Sequence, residues 1–233
     1  MNNKQTLIIN EIKKFLDFKS SIISIWGEIG TGKSTLALQI IKDNVLKNSK
    51  ILYIYLKYDI PIEKIQEIYK NEFNSFINNV IMIQILDFED LYNFCFDLEL
   101  KLVENIKQTN NSINFIVIDS ISDLYDLSLI KNKKEKNVSL NYKLNIILAT
   151  LTSYINKFST QIIVINSSKS IFLDKEIMEI QSGGKVMDYW IKQSIKIERT
   201  SKINQRCLIL FDNKYNKLFE FYCHLTSRGF LSC

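Results

Sequence analysis

The chain has 233 residues, 46% of them apolar, and 30 Lys and Arg against 25 Asp and Glu, for a formal net charge of +5. That is enough for one substantial core. No apolar run approaches the ~18 residues of a membrane span, and the opening MNNKQTLIINEIKK lacks the order of a signal peptide, so a soluble, cytoplasmic protein with no membrane partner is expected, whose mild charge permits nucleic acid without demanding it.

Residues 1–19 are expected to form a helical lead-in and residues 20–233 a single domain. Ser21 to Trp26 (SIISIW) is an apolar run of buried-strand type. Directly after it come three of the chain's six glycines, in GEIGTGKST. This stretch fits G-x-x-x-x-G-K-[ST] from Gly27 to Ser34, the phosphate-binding Walker A loop. In such a loop the backbone N–H groups of Gly27, Glu28, Ile29, Gly30, Thr31, Gly32, Lys33, Ser34 and Thr35 surround the phosphates, and glycine supplies positive φ where a Cβ would strike the ligand. Lys33 brings a flexible positive charge to the β- and γ-phosphates, and the Ser34 hydroxyl is placed to hold Mg²⁺. The helix expected from Lys33 to Leu46 directs its positive end at the same anion. ATP or GTP chemistry follows.

Lys50 to Leu56 reads as a strand, Pro61 to Phe76 as a helix with the chain's one proline in its first turn, and Val80 to Leu86 as a strand. Asp87 caps a long helix to about Gln108, with Asp90 in capping-box position. Ile113 to Asp119 is an apolar strand, Leu140 to Phe158 a helix, and Gln161 to Asn166 a strand. Buried strands alternating with helices predict an α/β fold, a mainly parallel doubly wound sheet. Beyond Gly184, three β-rich runs (Ser194 to Glu198, Arg206 to Phe211, Leu218 to Cys223) predict antiparallel strands that extend one sheet edge.

Asp119, at the end of FIVID, stands where a Walker B carboxylate would reach Mg²⁺, although a strand-ending turn also uses aspartate. Ser122, Asp123 and Asp126 read as a solvated loop face. The cysteines, Cys95, Cys207, Cys223 and Cys233, form no C-x-x-C pair, and the single histidine, His224, adjoins Cys223, so no metal beyond Mg²⁺ is expected. Trp26, Tyr189 and Trp190 read as packing residues, and Gly183–Gly184 as either a hinge at a neighbouring subunit or a tight turn into the next strand.

Taken together, GEIGTGKST, FIVIDSIS, QIIVIN with its polar continuation, and SGGKVMDYW resemble the RecA-like P-loop ATPase core of the RecA, RadA and Rad51 recombinases, from about Ser20 onward. The short archaeal RadB-type paralogues fit best, because neither a preceding helical domain nor an aromatic-x-x-Ala oligomerisation hook is seen. The resemblance implies ATP and Mg²⁺ as cofactors and a role in homologous recombination and DNA repair, near the nucleoid. The partners it implies are single-stranded DNA, a catalytic recombinase or other DNA-repair protein, and a second copy of the chain. It also places Lys57 where active members carry the glutamate that polarises water, with Asp59 two residues on as a substitute, and Ser167 where they carry a γ-phosphate-sensing glutamine. An ammonium is no base toward water, so weak hydrolysis is expected. The family's two DNA loops fall at Leu127 to Ser139, with Lys131, Lys133, Lys134 and Lys136, and at Ser167 to Ser182, with Lys169 and Phe172. The first is read as a phosphate-binding cluster or a merely solvated charge run; Phe172 either stacks on a base or tucks against the domain. A KaiC-like scaffold ATPase without DNA and a filament-forming DNA-dependent ATPase are the alternatives. A small-molecule kinase is disfavoured, because Arg199, Arg206 and Arg228 are too few for an arginine-rich lid.

Overall fold

The computed structural model describes residues 2–109, 113–129, 134–173 and 176–232. Its helices are α1 (Asn2–Phe15), α2 (Lys33–Leu46), α3 (Ile62–Tyr69), α4 (Phe73–Asn79), α5 (Phe88–Thr109), α6 (Ile121–Ser128), α7 (Lys134–Phe158) and α8 (Gly184–Trp190). The strands are β1 (Ile22–Gly27), β2 (Lys50–Tyr55), β3 (Val80–Gln84), β4 (Ile113–Asp119), β5 (Gln161–Leu173), β6 (Glu176–Gln181), β7 (Ile191–Arg199), β8 (Gln205–Asp212), β9 (Lys217–Thr226) and β10 (Gly229–Ser232).

The strands form one sheet in the order β10-β9-β8-β7-β1-β5-β4-β2-β3, with β6 paired to the extension of β5. From β7 to β3 neighbouring strands run parallel, and β8, β9 and β10 continue the other edge antiparallel. Alternation along each strand sends Ile163, Ile165, Val117 and Tyr53 to one face and Ile162, Val164, Ile116 and Ile54 to the other. The first face is covered by α1 to α4, and the second by α5 to α8. Helices on both faces explain why the central strands read as unbroken apolar runs.

Several expectations need correction. The helix expected from Pro61 to Phe76 is two helices joined by a 3₁₀ turn, because Lys70 takes a left-handed backbone (φ 47°) and ends α3. The polar stretch after Asn166 is a β-hairpin, not a loop: β5 runs on to Leu173 and pairs antiparallel with β6, Ser168 opposite Gln181. Likewise Lys134 to Ser139, expected in the first basic loop, are the first turns of α7, and Leu127 and Ser128 are the end of α6. Of the C-terminal β runs, β7 pairs parallel with β1 and antiparallel only with β8. Gly183 and Gly184 lead into the helix α8 rather than a strand: Gly183 is its cap at φ 90°, and a Cβ there would stand 2.5 Å from Met187 Cγ. The lead-in helix α1 buries Ile8, Ile9 and Ile12 in the same core as α2 and touches β10.

The cap of α5 is Asp87, whose Oδ1 accepts from the amides of Glu89 at 2.7 Å and Asp90 at 3.4 Å. Trp26 is buried with its Nε1 donating to Ser194 Oγ at 3.2 Å, and Trp190 Nε1 donates to Asn145 Oδ1 at 2.8 Å. Among the described residues no helix is long and apolar enough to cross a membrane, and no cluster of His, Cys, Asp and Glu could hold a metal ion.

Candidate nucleotide site

The carboxyl ends of β1 and β4 and the middle of β5 at Ser167 meet at a cleft of about 470 Å³ lined by Gly30, Gly32, Lys33, Ser34, Thr35, Lys57, Ser120, Asp123 and Ser167, with Ile29 and Leu225 at its apolar margin. Ligands of open α/β sheets bind at this end of the strands. A second hollow of about 560 Å³ lies between α3, the 3₁₀ turn and the β9–β10 turn, lined by residues such as Lys42, Tyr69 and Arg228. None of the phosphate-loop residues lines it.

The glycine loop has the backbone its sequence requires. Gly32 caps α2 in the left-handed region (φ 105°), and a Cβ there would lie 2.8 Å from the Phe230 ring. At Gly27 (φ 142°) it would come 2.4 Å from the Ile197 carbonyl oxygen. The glycines are therefore required by the neighbouring strands β7 and β10 as well as by a ligand. Thr31 Oγ1 donates to Glu28 O at 2.9 Å, which tightens the loop from within. Arg199, at the end of β7, donates to Ile29 O at 2.7 Å and pairs with Glu28 at 3.5 Å, bracing it from outside.

Lys33 donates to the carbonyls of Gly27 and Glu28, each at 2.7 Å. Burial first, and the charge of Lys57 second, push its ammonium down to about 8. Asp123, on the first turn of α6, lines the cleft and pulls the other way, with Asp119. Asp123, expected on a solvated loop face, stands in the cleft wall. It belongs to the site because Ser120 caps α6 and that first turn swings back toward Lys33; the run DSISD, with two acids four residues apart across a strand end, carried that signal. Ser122 is also buried, not solvated, and accepts from the Ser167 amide at 2.8 Å, with its hydroxyl 3.0 Å from those of Ser120 and Ser167.

Asp119, at the end of β4, is fully buried behind the cleft wall, where its neighbour Ser120 and its partner Lys57 line the space. The register Tyr55↔Asp119 puts Tyr53 diagonal to it on the same face, and the Tyr53 hydroxyl donates to Oδ2 at 2.9 Å. The other oxygen, Oδ1, takes Lys57 Nζ at 3.3 Å. Lys57 starts the bend after β2, and that bend is tied down by Gln84, whose Nε2 donates to the carbonyls of Lys57 and Tyr58, each at 2.7 Å. Asp59, on the same bend, is exposed and does not line the cleft. The Ser34 side chain lines the cleft, and each oxygen of Asp119 already has a partner, Tyr53 or Lys57.

The lysines expected at DNA are described only in part. Lys134 and Lys136 are exposed on the first turn of α7, Lys131 and Lys133 lie outside the described residues, and Lys169 on β5 pairs with Asp126 at 2.5 Å. The Phe172 side chain is outside what is described. Asp126, expected in solvent, also accepts from Ser182 Oγ at 2.8 and 2.7 Å, which ties the hairpin to α6.

Residues 17–216 match the family model for the RecA N-terminal domain. The chain is similar to a DNA repair and recombination protein RadB of Methanosphaera stadtmanae, 26% identical over 78% of this chain and 74% of that one. A RadB of Methanocaldococcus jannaschii is 29% identical over 78% of this chain and 79% of its own length. In fold it resembles a RadB recombinase crystal structure, with a TM-score of 0.68, 19% identity, and 92% and 91% of the two chains covered. The family match, the phosphate loop on β1 and the parallel sheet with its antiparallel edge converge: the chain belongs to the RecA family, as a paralogue similar to RadB.

Proposed function

We propose that this protein binds ATP, hydrolyses it slowly, and assists homologous recombination and DNA repair together with single-stranded DNA or a catalytic recombinase. One observation carries the reading. The phosphate loop is complete, with Lys33 and Ser34 at the cleft, while Lys57, where the family resemblance puts the water-polarising glutamate, lines the same cleft and pairs with Asp119. A protonated amine attracts phosphate but takes no proton from water. The role in recombination rests on similarity to proteins named DNA repair and recombination protein RadB. The DNA contact rests on the exposed Lys134 and Lys136 and on Lys169, with Lys131 and Lys133 as further candidates.

The test is nucleotide titration of the wild type and of Lys33→Ala, followed by single-turnover hydrolysis with and without single-stranded DNA. Binding lost in Lys33→Ala and slow turnover in the wild type are expected. Unchanged ATP affinity in that variant would remove the cradle from the site, and fast DNA-stimulated turnover would favour a filament-forming ATPase instead.

A further inference from the structure

We propose that Lys57 acts as a resident counter-cation of the nucleotide site, so that this chain binds ATP with little dependence on Mg²⁺. The proposal rests on the reading of the cleft as an ATP site and concerns how that site balances charge.

The geometry is specific. Asp119 is fully buried and has both oxygens engaged, one by the Tyr53 hydroxyl at 2.9 Å and the other by Lys57 Nζ at 3.3 Å. A hydrated divalent cation that reached for Oδ1 would meet the ammonium already there, and two cations on one carboxylate oxygen repel. Lys57 is held in place from behind: Gln84 ties the bend, and the Leu56 amide donates to Asp119 O at 2.6 Å, locking the end of β2 to the end of β4. Its side chain still lines the cleft and is 42% exposed, so the charge faces the ligand as well as the aspartate.

The charges decide the consequence. In and just behind the cleft wall Lys33 and Lys57 balance Asp119 and Asp123, whose charges act on Lys33, and Glu28 in the phosphate loop is paired with Arg199. A carboxylate at position 57 would leave the same four positions with an excess of two negative charges, the amount one Mg²⁺ offsets. Such a site would favour the polyphosphate as its Mg²⁺ complex over the free anion. With Lys57 the site meets the phosphates with both cations in place.

The experiment measures affinity for ATP in Mg²⁺ and in EDTA, using wild type, Lys57→Gln and Lys57→Glu, with circular dichroism to verify folding. The wild-type affinity should change less than about threefold on metal removal, and the loss should grow through Gln to about tenfold or more in Glu, following the charge at position 57. A structural role for Lys57 would lower affinity equally with and without metal. A wild-type loss of tenfold or more in EDTA, or the same ratio in all three proteins, overturns the proposal while leaving the ATP site standing. Absence of wild-type binding in either condition sinks the site itself, and the counter-cation with it. If Lys57→Glu does not fold, the comparison of Lys57→Gln with wild type decides.

Discussion

Lys33 is held by its own loop, donating to the carbonyls of Gly27 and Glu28. With its ammonium pushed down to about 8 by burial and by Lys57, from an ordinary 10.5, the fold binds fewer protons than the unfolded chain between those two values. The cost of burying this charge is therefore fully present below pH 8 and disappears as pH rises through 10.5. A triphosphate reverses the balance by favouring the charged form. Nucleotide binding near pH 8 should take up about half a proton, and affinity should fall as pH climbs above 8. Calorimetry in buffers of different ionisation enthalpy measures the uptake; no uptake, with affinity flat from pH 7 to 9, would mean Lys33 does not meet the phosphates. Tyr53 makes a second prediction at this scale. Tyr53→Phe strips a hydroxyl from a buried carboxylate and should destabilise the protein by about 1–3 kcal/mol, read from urea unfolding.

At the scale of elements, the β5–β6 hairpin and helix α6 are joined by Asp126, which holds Lys169 and Ser182 together. The Lys169 pair is partly exposed, and such pairs are worth little, so phosphate can take the lysine from it. Asp126→Asn should raise single-stranded DNA affinity about two- to fivefold and steepen its salt dependence, whereas a chain that ignores DNA will show neither change. These elements mark the limit of what was legible in the sequence. The parallel strands and the glycine loop could be read because burial on both faces forces apolar runs and positive φ forces glycine. The hairpin could not, because Ser167 to Ser170 are polar on strands that leave the main sheet. The first turns of α7 were hidden in a run of charges that a solvated helix and a loop share. Lys57 could be located as an unexpected cation, yet its partner could not, because the pairing depends on a bend fastened by Gln84 from the adjacent strand.

Across the whole molecule the sheet separates two cores, and the one beneath the phosphate-loop helix also holds α1 and the C-terminal edge. Gln39 of α2 links these parts directly: Phe230 N donates to its Oε1 at 2.8 Å, and its Nε2 donates to Phe230 O at 3.3 Å. The Phe230 ring in turn lies against Gly32 at the cap of α2. The N-terminal helix, the last strand and the nucleotide loop therefore share one packed body, and damage in α1 should reach the site. Ile12, fully buried in this core, tests that. Ile12→Ala should cost about 2–5 kcal/mol, with the variant still unfolding in one transition and ATP raising its melting temperature as it does for wild type. Two separate transitions, with only the second responding to ATP, would instead show that α1 melts on its own and that the segment ahead of residue 20 is an appendage to the nucleotide-binding core.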